Sequence, residues 1–106
     1  MSQFTTVARV GEIPEGGGRS FGVDGRTVAV FLVAGEYFAL EDSCPHMGAP
    51  LSLGDIEDET VICDRHLWAF RLRDGTCTES EKLKAESFAV RVEGDEIQVC
   101  VPETSD

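Results

Sequence analysis

Cys44-Pro45-His46-Met47-Gly48-Ala49-Pro50-Leu51, and further on Cys63-Asp64-Arg65-His66, form the stretch of this sequence that decides how the rest is read. Each group pairs a thiolate donor with an imidazole donor, and together they use both histidines of the chain. Two sulfur and two nitrogen ligands suit a tetrahedral zinc ion, or a 2Fe–2S cluster in which one iron is held by histidines. A disulfide between Cys44 and Cys63 would leave both histidines without a role. Zinc knuckles usually pair Cys with Cys and His with His, whereas here each segment brings one of each. Mixed pairs fit a two-metal centre, with Cys44 and Cys63 converging on an inner iron and His46 and His66 on an outer one.

Outward from this stretch the sequence reads as strands. Short runs rich in Val, Phe and Thr recur between Gly, Asp and Glu turns, and no stretch longer than about 10 residues keeps a helical period. An all-β fold is expected. Its candidate strands are Phe4 to Val10, Ser20 to Val23, Thr27 to Val33, Tyr37 to Leu40, Thr60 to Cys63, Ala69 to Leu72, Ser87 to Val92 and Glu96 to Val101. Gly35-Glu36 and Glu93-Gly94-Asp95 mark two hairpins. The run Gly16-Gly17-Gly18 lacks the Lys-Ser/Thr of a phosphate loop, and a flexible surface turn is expected there.

The whole chain of 106 residues has the size of one domain. Residues 42–72 hold both histidines, two of the four cysteines and the only Trp, and are read as a metal-binding subdomain. Residues 1–41 and 73–106 are read as the scaffold that carries it. Cys77 and Cys100 fall outside the motif and are expected to be unpaired thiols that behave as small apolar residues.

Twenty acidic against nine basic residues leave a net charge of −11, which repels phosphate backbones and anionic headgroups and attracts basic protein patches. Nucleic acid and membranes are therefore not expected as partners. The longest apolar run, Val28 to Ala34, is far short of the roughly 20 residues that span a bilayer. With no signal-like segment at the start, a cytoplasmic location is expected, where cysteines more often bind metal than pair.

The spacing Cys-x-His, residues 47–62, Cys-x-x-His, with Gly48, Pro50, Leu51 and Gly54 around it and Trp68 and Phe70 behind, resembles a Rieske ferredoxin. The resemblance implies a Rieske-like antiparallel β-sandwich or barrel with a small cluster-binding subdomain, and a Rieske 2Fe–2S cluster on Cys44, His46, Cys63 and His66. Respiratory Rieske proteins carry an extra cysteine in each ligand loop; Ala49 and Arg65 stand at those places here. The likeness is thus to the ferredoxins of multicomponent bacterial oxygenases. The second loop departs from the usual Cys-Pro-x-His-Gly at Asp64 and Leu67. No proline follows Pro50 until Pro102, so residues Lys82 to Glu86 are expected to cover the cluster in place of the family's prolines.

No third histidine is left for a mononuclear iron site, and no nucleotide-binding glycine motif follows a strand, so catalysis by this chain alone is not expected. The resemblance implies a monomeric one-electron carrier, taking electrons from an NAD(P)H-dependent flavoprotein reductase and giving them to a terminal oxygenase. A Rieske-like small subunit of a nitrite reductase is the alternative, and a structural zinc module a third.

Overall fold

The computed structural model describes residues 3–23, 25–42, 51–62, 69–78 and 84–101. Nine strands make up the described fold: β1 (Gln3–Arg9), β2 (Gly17–Val23), β3 (Arg26–Val33), β4 (Glu36–Glu41), β5 (Asp55–Glu57), β6 (Thr60–Ile62), β7 (Ala69–Arg71), β8 (Ser87–Glu93) and β9 (Glu96–Val101). A 3-10 turn at Leu51–Leu53 precedes β5. The strands build a six-stranded sheet in the order β1-β9-β8-β4-β3-β2 and a three-stranded sheet β5-β6-β7, with antiparallel pairing throughout. β1 and β2, at the two ends of the larger sheet, approach each other, so that it nearly closes on itself. The all-β expectation holds, and the architecture is that of a near-barrel with a small sheet beside it.

β3 explains how the two sheets are joined. Its residues Val28, Ala29, Val30 and Phe31 are all fully buried, because the strand is covered on both faces. A half-exposed strand would alternate apolar with polar residues; a strand sandwiched between two layers reads as a continuous apolar run. Val28 and Val30 point into the near-barrel with Val23, Ala39, Phe88, Ile97 and Val99. Ala29 and Phe31 point the other way, onto Phe38 and Leu40 of β4, Leu51, Val61 of β6 and Phe70 of β7. The second cluster is the floor on which the small sheet rests.

Hairpin turns set the register. β3 and β4 meet through Ala34-Gly35, both with positive φ (53° and 79°), and Val33 pairs with Glu36 across this two-residue loop. The expected turn is found, with Glu36 already in the strand. β8 and β9 are joined through Gly94-Asp95, with Glu93 paired to Glu96.

The glycine run corrects the expectation of a flexible turn. Gly17 and Gly18 lie inside β2, paired with Leu32 and Phe31 of β3. A Cβ on Gly18 would sit 2.5 Å from the ring of Phe31. The absence of side chains makes room for an aromatic ring rather than slack in the chain. β5 had no expected counterpart, and Cys63, expected at the end of β6, lies outside the described residues.

Candidate metal centre

Cys44, His46, Cys63 and His66 lie outside the described residues, and the structure describes the stems from which their two segments rise. The first segment, residues 43–50, starts after Asp42 at the end of β4 and ends at Leu51, which is fully buried in the floor cluster. The Asp42 side chain reaches across to its far end. Oδ1 accepts a hydrogen bond from the Ser52 amide (2.7 Å) and Oδ2 one from the Ser52 hydroxyl (2.9 Å).

The second segment, residues 63–68, sits on a closed ladder, since Ile62 of β6 pairs directly with Ala69 of β7. The two stems touch at Gly54. Its amide donates to Leu51 O at 3.0 Å, closing the 3-10 turn, and its Cα lies so near Ile62 that a Cβ there would come within 2.2 Å of the Ile62 carbonyl oxygen. Only glycine fits this approach. The residue after Ile62 is Cys63, so the backbone that ends the first donor segment is stacked on the backbone that begins the second.

A third stem joins them. Gly75, with φ 80°, accepts at its carbonyl from the Ala85 amide (2.8 Å), and a Cβ on it would meet Ala85 O at 1.8 Å. Ala85 and Cys77 are buried in the same floor cluster. Of the expected covering residues, Lys84, Ala85 and Glu86 are described and root the segment 79–83 beside β4. There Glu86 O accepts from the Glu41 amide (2.7 Å), and Arg26 bonds to Glu86 Oε1 and lies 3.7 Å from Glu41 Oε2. The hydrogen bond to Glu86, with both carboxylates nearby, raises the Arg26 pKa above its ordinary value. Its guanidinium also lies over the Phe88 ring, 5.1 Å from the centroid.

The donor set fits a Rieske centre. Two thiolates and two imidazoles come in mixed pairs on two segments, and the stems of those segments are held in van der Waals contact on one apolar floor. Among the described residues no group of His, Cys, Asp and Glu could hold a metal ion. Cys77 and Cys100 are free thiols, the first buried and the second half-buried. Sequence reading missed Asp42, Ser52 and Arg26, and it named Glu86 only as part of the covering segment, without its pairing to Arg26. A lone acid near a cysteine has no signal of its own, because its partner is ten residues away and is found only in the folded chain.

A nearly closed antiparallel sheet with a three-stranded sheet beside it, and mixed Cys/His segments rising from adjoining stems, defines an iron–sulfur electron-transfer domain. The Rieske [2Fe-2S] domain model matches residues 3–92, and the chain belongs to that family. It carries a Rieske 2Fe–2S cluster and serves electron transfer as a ferredoxin-type component. The biphenyl dioxygenase ferredoxin subunit of Pseudomonas sp. (strain KKS102) is 35% identical over 100 residues, covering 91% of this chain and 90% of that protein. A provisionally assigned NADH-dependent nitrite reductase small subunit from Mycobacterium tuberculosis superposes with TM-score 0.92 at 26% identity, over 98% of this chain and 99% of that one. A chain of the complex of reduced oxygenase and oxidized ferredoxin in carbazole 1,9a-dioxygenase matches with TM-score 0.86 at 26% identity, over 97% of each.

Proposed function

We propose that this protein is a free one-electron carrier that binds its cluster through Cys44, His46, Cys63 and His66. It would receive electrons from an NAD(P)H-dependent flavoprotein reductase and deliver them to a terminal oxygenase. The observation that carries the reading is the junction at Gly54, where the stem of the Cys44/His46 segment lies on the stem of the Cys63/His66 segment. The cluster supplies a one-electron couple at iron; the chain supplies the donors, a floor that excludes water, and the charge that meets a partner. Residues 42–72 then act as the cluster-binding subdomain of a single domain, with the rest as scaffold.

The ferredoxin subunit of biphenyl dioxygenase and the ferredoxin of the carbazole dioxygenase complex support an oxygenase as the acceptor. The acidic composition supports transient docking, because small redox interfaces are steered by charge whereas permanent subunit interfaces bury apolar surface. The same reasoning supports a monomer, for which we propose a cytoplasmic location. Among the described residues no helix is long and apolar enough to cross a membrane.

A second reading, the small subunit of a nitrite reductase, is favoured by the superposition on the M. tuberculosis protein. Two experiments decide. Purified protein should show visible charge-transfer absorption and, after dithionite, a Rieske electron paramagnetic resonance signal that disappears in Cys44→Ala and His46→Ala; a colourless protein that holds one zinc per chain by metal analysis would overturn this. Size exclusion of native extract should find the protein near its own mass, and elution with a large reductase would support the second reading.

A further inference from the structure

Among the described residues, Asp42 is the buried residue that is polar or charged, 8% exposed. A carboxyl removed from water requires partners, and its partners here have a particular arrangement. The Asp42 amide donates to Thr27 O of β3 (3.0 Å), which fixes the backbone to the larger sheet. Both side-chain oxygens accept from Ser52, one from the amide and one from the hydroxyl. Ser52 lies within the 3-10 turn that Gly54 closes, and Gly54 lies against Ile62. A continuous line of contacts therefore runs from β3 through Asp42 and Ser52 to β6. It spans the base of the segment that carries Cys44 and His46 and ends one residue before Cys63.

We infer that Asp42 is a positioning residue: with Ser52 it closes the base of the first donor segment before metal is bound, and the retention of the metal centre depends on this clamp. The inference rests on the proposed ligation by Cys44 and His46. Closing a loop costs chain entropy, and a loop already closed by the protein leaves less to be lost when its donors engage. The clamp is made by one side chain on two groups of one residue, so its failure would free the loop base while leaving both sheets paired.

The test compares cluster-loaded Asp42→Ala, Ser52→Ala, Asp42→Asn and Val99→Ala. Val99 is buried in the near-barrel core, on the opposite side of β3 from the small sheet, and serves as a control for general destabilisation. The first readout is bleaching of the visible absorption in excess chelator. Asp42→Ala should bleach roughly tenfold faster than the parent and Ser52→Ala about threefold faster, since the first loses both bonds and the second one. Asp42→Asn should stay within about twofold, because its amide can still accept from the Ser52 N–H and donate to the Ser52 hydroxyl. Val99→Ala should bleach at the parent's rate despite a lowered melting temperature.

The inference is overturned if Asp42→Ala and Val99→Ala bleach alike, and equally if Ser52→Ala matches the parent, a comparison that stands even where Asp42→Ala fails to fold. Hydrogen exchange of the Ser52 amide in cluster-free protein tests the clamp apart from ligation. Protection in the parent and in Asp42→Asn, lost in Asp42→Ala, which removes the acceptor of the Ser52 amide, supports it; no protection in the parent overturns it. Should Cys44→Ala keep the full Rieske spectrum, the ligation reading fails on its own evidence, while the exchange result still reports on the clamp.

Discussion

Gly54 shows what a single residue decides in this fold. Its Cα faces the Ile62 carbonyl so closely that a methyl group would lie 2.2 Å from the oxygen and 3.0 Å from Val61 Cγ2. Backbone cannot yield as a long side chain can, so Gly54→Ala should cost about 1–3 kcal/mol of stability in denaturant unfolding. An unchanged midpoint would refute the close approach of the two stems. Resemblance alone marked Gly54 as a family position; the carbonyl that makes it necessary became visible only in the fold. Asp74 carries a different kind of dependence. The Thr76 amide donates to its Oδ1 at 2.9 Å, and this bond holds the carboxyl below the ordinary range. A depressed carboxyl binds fewer protons folded than unfolded, so the stability it supplies is complete above the unfolded pKa of about 4 and is lost as pH falls through the folded value. Asp74→Asn should therefore flatten the acid limb of the stability curve below about pH 4 and leave the pH dependence at neutrality unchanged. An acid limb identical to the parent's would remove Asp74 from the account.

The elements were legible in the sequence wherever a local signal sufficed. β9 occupies Glu96–Val101 as its alternation requires, and the Ala34-Gly35 and Gly94-Asp95 turns fall where glycine permits φ above zero. β5 was not legible because Asp55-Ile56-Glu57 has one apolar residue and no period; it is a strand only because β6 pairs with it. β2 was read too short for the opposite reason, since three consecutive glycines argue against a strand until Phe31 is seen to need their space. The four donors were legible as a motif, from residue type and order, but neither Asp42 nor Arg26 could be found there, because each acts on a partner distant in sequence. Arg26 makes a prediction at this scale. β4 meets β8 along a short ladder, Ala39 with Phe88 and Leu40 with Ser87, and Arg26 reinforces the seam by holding Glu86 beside Glu41. Its side chain is 22% exposed and solvent screens the pair, so Arg26→Met should cost only about 1 kcal/mol globally. The local effect should be larger in proportion: the Glu41 amide, bonded to Glu86 O, should exchange about fivefold faster while amides between β2 and β3 keep their rates. Uniform acceleration in all strands would mean that the pair serves global stability and not the seam.

For the molecule as a whole, the net charge of −11 governs whom it meets and how fast. Among the described residues, the exposed large apolar side chains, Val10, Leu53 and Val92, are few and distant in sequence, so attraction between charges has to bring a partner in. Charges more than a Debye length apart are screened, and that length falls from about 30 Å at 0.01 M salt to about 3 Å at 1 M. Reduction by a flavoprotein that presents a basic patch should therefore slow by about tenfold or more over this range. A simple viscosity or stability effect of salt would slow every reductant alike, which the sign of a second reaction can separate. Dithionite is an anion and is repelled by the same field, so its reduction of the protein should become faster as salt rises, at least under conditions where the encounter limits the rate. Opposite slopes with the two reductants would assign the effect to the protein's charge. Slopes of the same sign would show that docking does not depend on the acidic surface, and parallel flat profiles would favour a permanently held subunit, whose electrons never wait on an encounter.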